Sequence, residues 1–102
     1  MTTELNTTNF DSFIAEGTVL VDFWAPWCGP CRMLSPLVEK VAEATPALKV
    51  GKLNVDDYSD LAARYNVMSI PLLLLFKDGR LVDKSVGLVP QAQLEAFIAK
   101  AL

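Results

Sequence analysis

Apolar residues change their spacing along the chain, and each change marks out an element. Phe10, Phe13 and Ile14 fall at helical spacing, and Thr8 with Asp11 has the form of a capping box for that helix. Gly17 stands where the helix would end in a left-handed C′ residue. Residues 18–25 are almost continuously apolar, as expected of a strand buried on both faces. Leu34, Leu37, Val38 and Val41 then return to helical spacing until Thr45-Pro46 stops the pattern. Pro36 falls inside this second helix, removes one backbone donor and should kink it.

Residues 48–55 predict another strand, and residues 59–65 a short helix closed by Asn66. The runs 72–76 and 81–86 flank Asp78-Gly79, the strongest short hairpin signal in the chain. Pro90 opens the last helix at N1, and Leu94, Phe97, Ile98 and Leu102 give it an apolar face. The predicted order is helix, strand, helix, strand, helix, hairpin, helix, with room for a short strand before Thr7. That alternation describes an α/β domain. Its stretch from Val19 to Val55 is a β–α–β unit, which calls for parallel strands and a right-handed crossover. No repeat, linker or low-complexity segment divides the chain, so residues 1–102 are expected to form one domain.

Composition narrows the partners. A chain of 102 residues, 52% hydrophobic, can bury a core without staples. The formal charge of −3 and the scattered Lys and Arg argue against nucleic acid and against an anionic membrane. The longest apolar run, Ile70 to Phe76, is far short of the roughly 20 residues a membrane helix needs. Met1-Thr2-Thr3-Glu4 lacks the charged and apolar regions of a secretory leader. The cytoplasm is therefore the expected compartment, although a chain trimmed of its leader would read the same.

Two cysteines and no histidine constrain the chemistry sharply. A structural zinc site normally takes four Cys or His ligands, so no metal is expected. A Cys–His nucleophile pair is impossible without His. A redox dithiol, a structural staple or two packed thiols remain. Cys28 and Cys31 stand where the apolar strand hands over to the long helix. At helical i,i+3 spacing their Cα atoms lie roughly 5 Å apart, inside the disulfide window of about 4.4–6.8 Å. A bond there can open and close with little backbone movement.

Position also supplies activation. The unpaired amides and positive dipole end of a helix N-terminus favour a thiolate at Cys28. Pro30 has no N–H, so the Cys31 and Arg32 amides are the expected donors, and the Arg32 guanidinium adds positive charge nearby. Cys31 shares the helical stripe of Leu34 and Val38, and should be more buried than Cys28. Cys28 is then the attacking thiol and Cys31 the resolving one. A buried thiol is hard to ionise and needs a base, which without His must be a carboxylate. As a staple the pair would close too short a loop to remove much chain entropy.

Beyond the cysteines, Val21-Asp22-Phe23-Trp24-Ala25, Trp27-Cys28-Gly29-Pro30-Cys31, Ile70-Pro71, Lys77-Asp78-Gly79 and Val86-Gly87 follow in order and spacing. By these residues the chain resembles the thioredoxin family over residues 8–102. The resemblance implies a central mixed sheet of about five strands flanked by about four helices. Thioredoxin is itself a reference case for cysteines with pKa lowered to about 3.5–7.5, so that range belongs to the resemblance.

Asp22 matches the family's buried carboxylate beneath the second cysteine, and Leu20, Asp22 and Trp24 share one face of the buried strand. A solvated Asp on an edge strand is the alternative. Lys52 matches the lysine near that Asp, although a surface lysine that snorkels outward would read alike. Pro71 matches a proline with a cis peptide bond that faces the cysteines and opens backbone to a bound substrate strand. Trp27, Gly29, Ile70 and Gly87 match a flat apolar docking surface around Cys28. For Trp24 and Leu72 core packing is expected, and Pro36 matches a helix kink that serves shape.

Three positions depart from the family pattern. Pro26 stands where some members carry an acidic residue, Leu72 where Thr is frequent, and Val89 in place of a Ser or Thr helix cap. They affect local charge, stability and partner fit, and remove no catalytic part.

The implied function is dithiol–disulfide exchange that reduces protein disulfides. No cofactor beyond Cys28–Cys31 is implied, and a thioredoxin reductase would recharge the oxidised form. Gly29 and Pro30 place no His or Lys between the cysteines to stabilise the thiolate further, which favours reduction over oxidation. A monomer acting on disulfide-containing proteins is expected. An exported oxidase or isomerase, and a binding module with incidental thiols, are the competing readings. A reduction potential separates the first, and a double Cys→Ser variant the second.

Overall fold

In the computed structural model, which describes residues 2–102, the apolar run at residues 18–24 forms the middle of the sheet. Met1, the first residue in the reading of the chain's start, lies outside the described residues. The elements are β1 (Thr3–Glu4), α1 (Phe10–Ile14), β2 (Thr18–Trp24), α2 (Gly29–Ala44) and β3 (Leu48–Asn54). They continue as α3 (Ser59–Arg64), β4 (Leu72–Lys77), β5 (Arg80–Val86) and α4 (Gln91–Ala99). The five strands lie in the order β1-β3-β2-β4-β5. β2 pairs in parallel with β3, as the β–α–β reading requires, and antiparallel with β4. The short strand before Thr7 is present and pairs in parallel with β3.

Strand alternation divides β2 between two cores. Val19, Val21 and Phe23 pack with Phe10, Leu61 and Phe76. Leu20 packs on the opposite side with Leu34, Val38, Leu94 and Ile98. The apolar faces of α1 and α3 therefore cover one side of the sheet, and those of α2 and α4 the other. Asp22 falls on the Leu20 side by the same alternation, beneath α2. Gly51 in β3 is a close-approach position: a Cβ there would stand 2.8 Å from Leu5 Cγ and 3.0 Å from Phe13 Cε2.

Local chemistry corrects four expectations. Thr8 and Asp11 form no capping box, because Asn9 is the N-cap residue of α1. Asn6 Oδ1 accepts from the amides of Thr8 and Asn9, and Asn9 Oδ1 accepts from the Asn6 amide at 2.7 Å. Two short carboxamides so close to the backbone satisfy it reciprocally, which Thr8 cannot do.

Gly17 has φ +78° but lies two residues beyond the C-cap Ala15. Its work is tertiary: its amide donates to the Asp78 carboxylate at 2.8 Å, and its carbonyl accepts from the Asp78 amide at 2.9 Å. Asp78 and Gly79 both take positive φ, 49° and 84°, as a two-residue hairpin turn requires. Pro90 is the N-cap of α4 and extended, so the helix begins one residue later than its N1 reading. Leu102 is 58% exposed; α4 has ended by then, and Ala101 is buried instead.

Candidate redox site

α2 begins immediately after Cys28, which is its N-cap residue in an extended conformation (φ −89°, ψ 108°). Pro30 is accommodated in the first turn, where an amide donor has no partner inside the helix. Cys28 and Cys31 form a disulfide with Cα atoms 5.3 Å apart, close to the helical expectation. The Cys31 amide donates to Cys28 Sγ at 3.2 Å. The Arg32 amide, expected to be a second donor to that sulfur, donates to the Cys28 carbonyl at 3.2 Å. The Arg32 guanidinium is held by the Pro26 carbonyl at 2.7 Å, so its charge lies over the loop that precedes Cys28.

Exposure does not separate the two cysteines as expected: residue Cys28 is 4% exposed and Cys31 3%. Cys28 is folded against the neighbouring loop, its Sγ 3.9 Å from the Ile70 carbonyl oxygen, within a small cluster of Ala25, Cys31, Trp24, Val55 and Ile70. What distinguishes the cysteines is place along the helix. Cys28 Sγ sits at the N-terminus and receives an amide, whereas Cys31 lies inside the first turn.

The Ile70–Pro71 bond is cis. Ile70 is half-buried and Pro71 buried, and the Pro71 carbonyl accepts from the Gly87 amide at 2.8 Å. Trp27 is 68% exposed, with its indole N–H directed at the Asp56 carboxylate (3.1 Å to Oδ2). Trp27, Ile70, Pro71 and Gly87 thus converge around the disulfide from three loops. Two apolar hollows adjoin them, which sequence reasoning missed. One of about 360 Å³ is lined by Trp27, Val55, Val67, Met68 and Ile70. The other, of about 420 Å³, is lined by Met33, Leu37, Leu88, Val89 and Pro90. Met68 is 86% exposed. Periodicity reports which residues face a core and is silent on apolar residues in loops.

Asp22 is buried at 1% exposed, and its Oδ1 has no hydrogen-bond partner. Burial pushes its pKa up from 3.8 to about 6, and the positive charge of Lys52 opposes that rise. Lys52 is Asp22's direct neighbour across β2 and β3 and is half-buried. Its Nζ donates to Ser35 Oγ at 2.7 Å and stands 5.3 Å from the centroid of the Trp24 ring. The solvated Asp22 and the outward Lys52 are both set aside by this geometry. Trp24 and Leu72 pack as expected, although the Trp24 indole N–H is buried without a partner. Among the described residues no group of three or more His, Cys, Asp or Glu could hold a metal ion. None of the helices there is long and apolar enough to cross a membrane.

A disulfide closed across the first turn of a helix, with an amide on its leading sulfur and a mixed sheet beneath, defines a thiol–disulfide oxidoreductase. The thioredoxin family model matches residues 1–100. The thioredoxin of Chlamydia pneumoniae is 52% identical over 96 residues, 94% of each chain. That of Bacillus subtilis (strain 168) is 46% identical over 95 residues, 92% of this chain and 91% of its own. A chain from structural work on thiol resolution in yeast mitochondrial 1-Cys peroxiredoxin via glutathione/thioredoxin systems superposes with a TM-score of 0.88. It is 35% identical, over 96% of this chain and 93% of that one. The chain belongs to the thioredoxin family, and its reaction is dithiol–disulfide exchange through Cys28 and Cys31.

Proposed function

We propose that Cys28 is the nucleophile and Cys31 the resolving thiol in the reduction of protein disulfides. The Cys28 thiolate attacks one sulfur of the substrate disulfide, forming a mixed disulfide and expelling the other substrate sulfur, which takes up a proton. The Cys31 thiol then passes its proton to Asp22 and attacks Cys28 Sγ. The second substrate thiolate leaves and is protonated, and Cys28–Cys31 closes. Two electrons have passed to the substrate. The observation that carries this order is the Cys31 amide on Cys28 Sγ at 3.2 Å, at the helix N-terminus. It stabilises negative charge on Cys28 and on no other sulfur.

Asp22 is the base because it is a buried carboxylate whose pKa, about 6, lies near working pH. Lys52 is the cation that modulates it. Trp27, Ile70, Pro71 and Gly87 receive the substrate chain, and Gly29 and Pro30 keep charged groups out of the loop between the cysteines, which suits a reductant. A thioredoxin reductase recharges the oxidised protein, which acts as a monomeric single domain (residues 1–102) in the cytoplasm and has no cofactor apart from its own disulfide. Nucleic acid and membranes are not among its partners.

The test is reduction of insulin disulfides with a small dithiol or a thioredoxin reductase as electron donor. Turnover that requires both cysteines is expected. Full activity in a double Cys→Ser variant would remove the proposal.

A further inference from the structure

Asp22 and Lys52 are register partners across the parallel strands β2 and β3, a placement from which opposite charges could meet. Here they do not. The ion pairs among the described residues are Arg64–Asp11 and Lys100–Asp83, and Asp22 Oδ1 is left without any partner. The Lys52 ammonium is occupied elsewhere: Ser35 Oγ accepts from it at 2.7 Å, and the Trp24 ring lies beneath it at 5.3 Å. Ser35 is half-buried on α2, four residues after Cys31, and therefore on the same face of that helix.

We propose that Ser35 is a positioning residue for the exchange reaction: its hydroxyl holds the Lys52 ammonium off Asp22, so that Asp22 stays a strong enough base for Cys31. The inference rests on the reading of Asp22 as that base. An ammonium bonded directly to a carboxylate lowers its pKa by about 1–3 units, and a weaker base takes a thiol proton less readily. The other groups that face Asp22 cannot replace Ser35 in this. Leu73 opposes it from β4, Leu20 and Trp24 flank it on β2, and Cys31 on α2 is uncharged in the disulfide. Lys52 is the charge whose attraction opposes the effect of burial on Asp22. Deprived of the hydroxyl, the half-buried ammonium is free to turn toward the unpartnered Oδ1 of Asp22, its register partner on β2.

The experiment compares Ser35→Ala with Ser35→Thr, which keeps a hydroxyl, in the full chain. Two readouts are taken: the Asp22 titration in the oxidised protein by carboxyl 13C NMR, and the pH profile of single-turnover resolution of a mixed disulfide. Ser35→Ala should lower the Asp22 midpoint by about one unit or more and slow resolution several-fold near pH 7, while Ser35→Thr stays close to the parent. Adding Lys52→Ala to Ser35→Ala should abolish the downward shift. An unmoved or raised midpoint in a folded, exchanging Ser35→Ala protein overturns the Ser35 proposal alone. A lowered midpoint with unchanged resolution overturns the base role of Asp22, and the positioning role with it.

Discussion

The amide of Gly87 donates to the carbonyl of Pro71 at 2.8 Å, joining the loop before β4 to the loop after β5 beside the disulfide. Gly87 holds φ +88°, and a Cβ there would meet nothing within 4 Å. Substitution therefore strains the backbone without a clash. Gly87→Ala should cost about 1–2 kcal/mol and raise KM for a protein disulfide more than it lowers kcat. Urea melts and insulin-reduction kinetics measure the two effects. A variant with parental stability and KM would contradict both.

Because total exposure does not separate the cysteines, their division of labour rests on thiolate character. Iodoacetamide should modify Cys28 first in the reduced protein, because its sulfur lies at the helix N-terminus and accepts the Cys31 amide. Cys31→Ser should accumulate a mixed disulfide through Cys28, and Cys28→Ser almost none. Peptide mass spectrometry reads the site of both modifications, and faster labelling at Cys31 would reverse the assignment.

The raised pKa of Asp22 links the site to stability. A carboxyl whose folded pKa is about 6, against 3.8 unfolded, binds protons more tightly in the native state. Its contribution is full below pH 3.8 and is lost as pH rises through about 6. The two-unit difference amounts to roughly 3 kcal/mol. Asp22→Asn, which cannot ionise, should therefore lose much less stability than the parent between pH 4 and pH 8, while resolving mixed disulfides more slowly. Denaturant melts across that range test the first half; parallel curves for the two proteins would show that Asp22 ionises as easily folded as unfolded.

Gly51 offers a control away from the chemistry. Gly51→Ala pushes a methyl group against the buried Leu5 and against Phe13, and such overpacking costs about 1–3 kcal/mol. Exchange activity per folded molecule should remain that of the parent. A variant as stable as the parent in thermal melts would mean that β1 and α1 shift freely to make room.

The middle of the sheet was legible because β2 and β4 are near-continuous apolar runs and β3 largely alternates apolar with polar residues, and Asp78-Gly79 marks the hairpin to β5. Helix ends were less legible, since they depend on which side chain first reaches a free amide. Asn6 and Asn9 outcompete Thr8, and Pro90 caps α4 from outside it. In the site, spacing alone located Cys28 and Cys31, and alternation placed Asp22 on an interior face. The contacts that set their chemistry were not readable. The grip of Ser35 on Lys52 joins α2 to β3 across 17 positions. The burial of Cys28 depends on a loop 42 residues away. Local pattern carries no record of such meetings.

The disulfide spans a separation of three residues at the start of a helix whose own geometry sets the Cα atoms 5.3 Å apart. Because the helix itself sets that spacing, the bond can open and close with little movement of the backbone it joins. The molecule is in this respect a rechargeable cell in a rigid casing. Two electrons would then enter or leave with little change in the outline offered to other proteins. A donor and an acceptor would then meet much the same surface, and relative potential rather than shape would decide the direction of traffic.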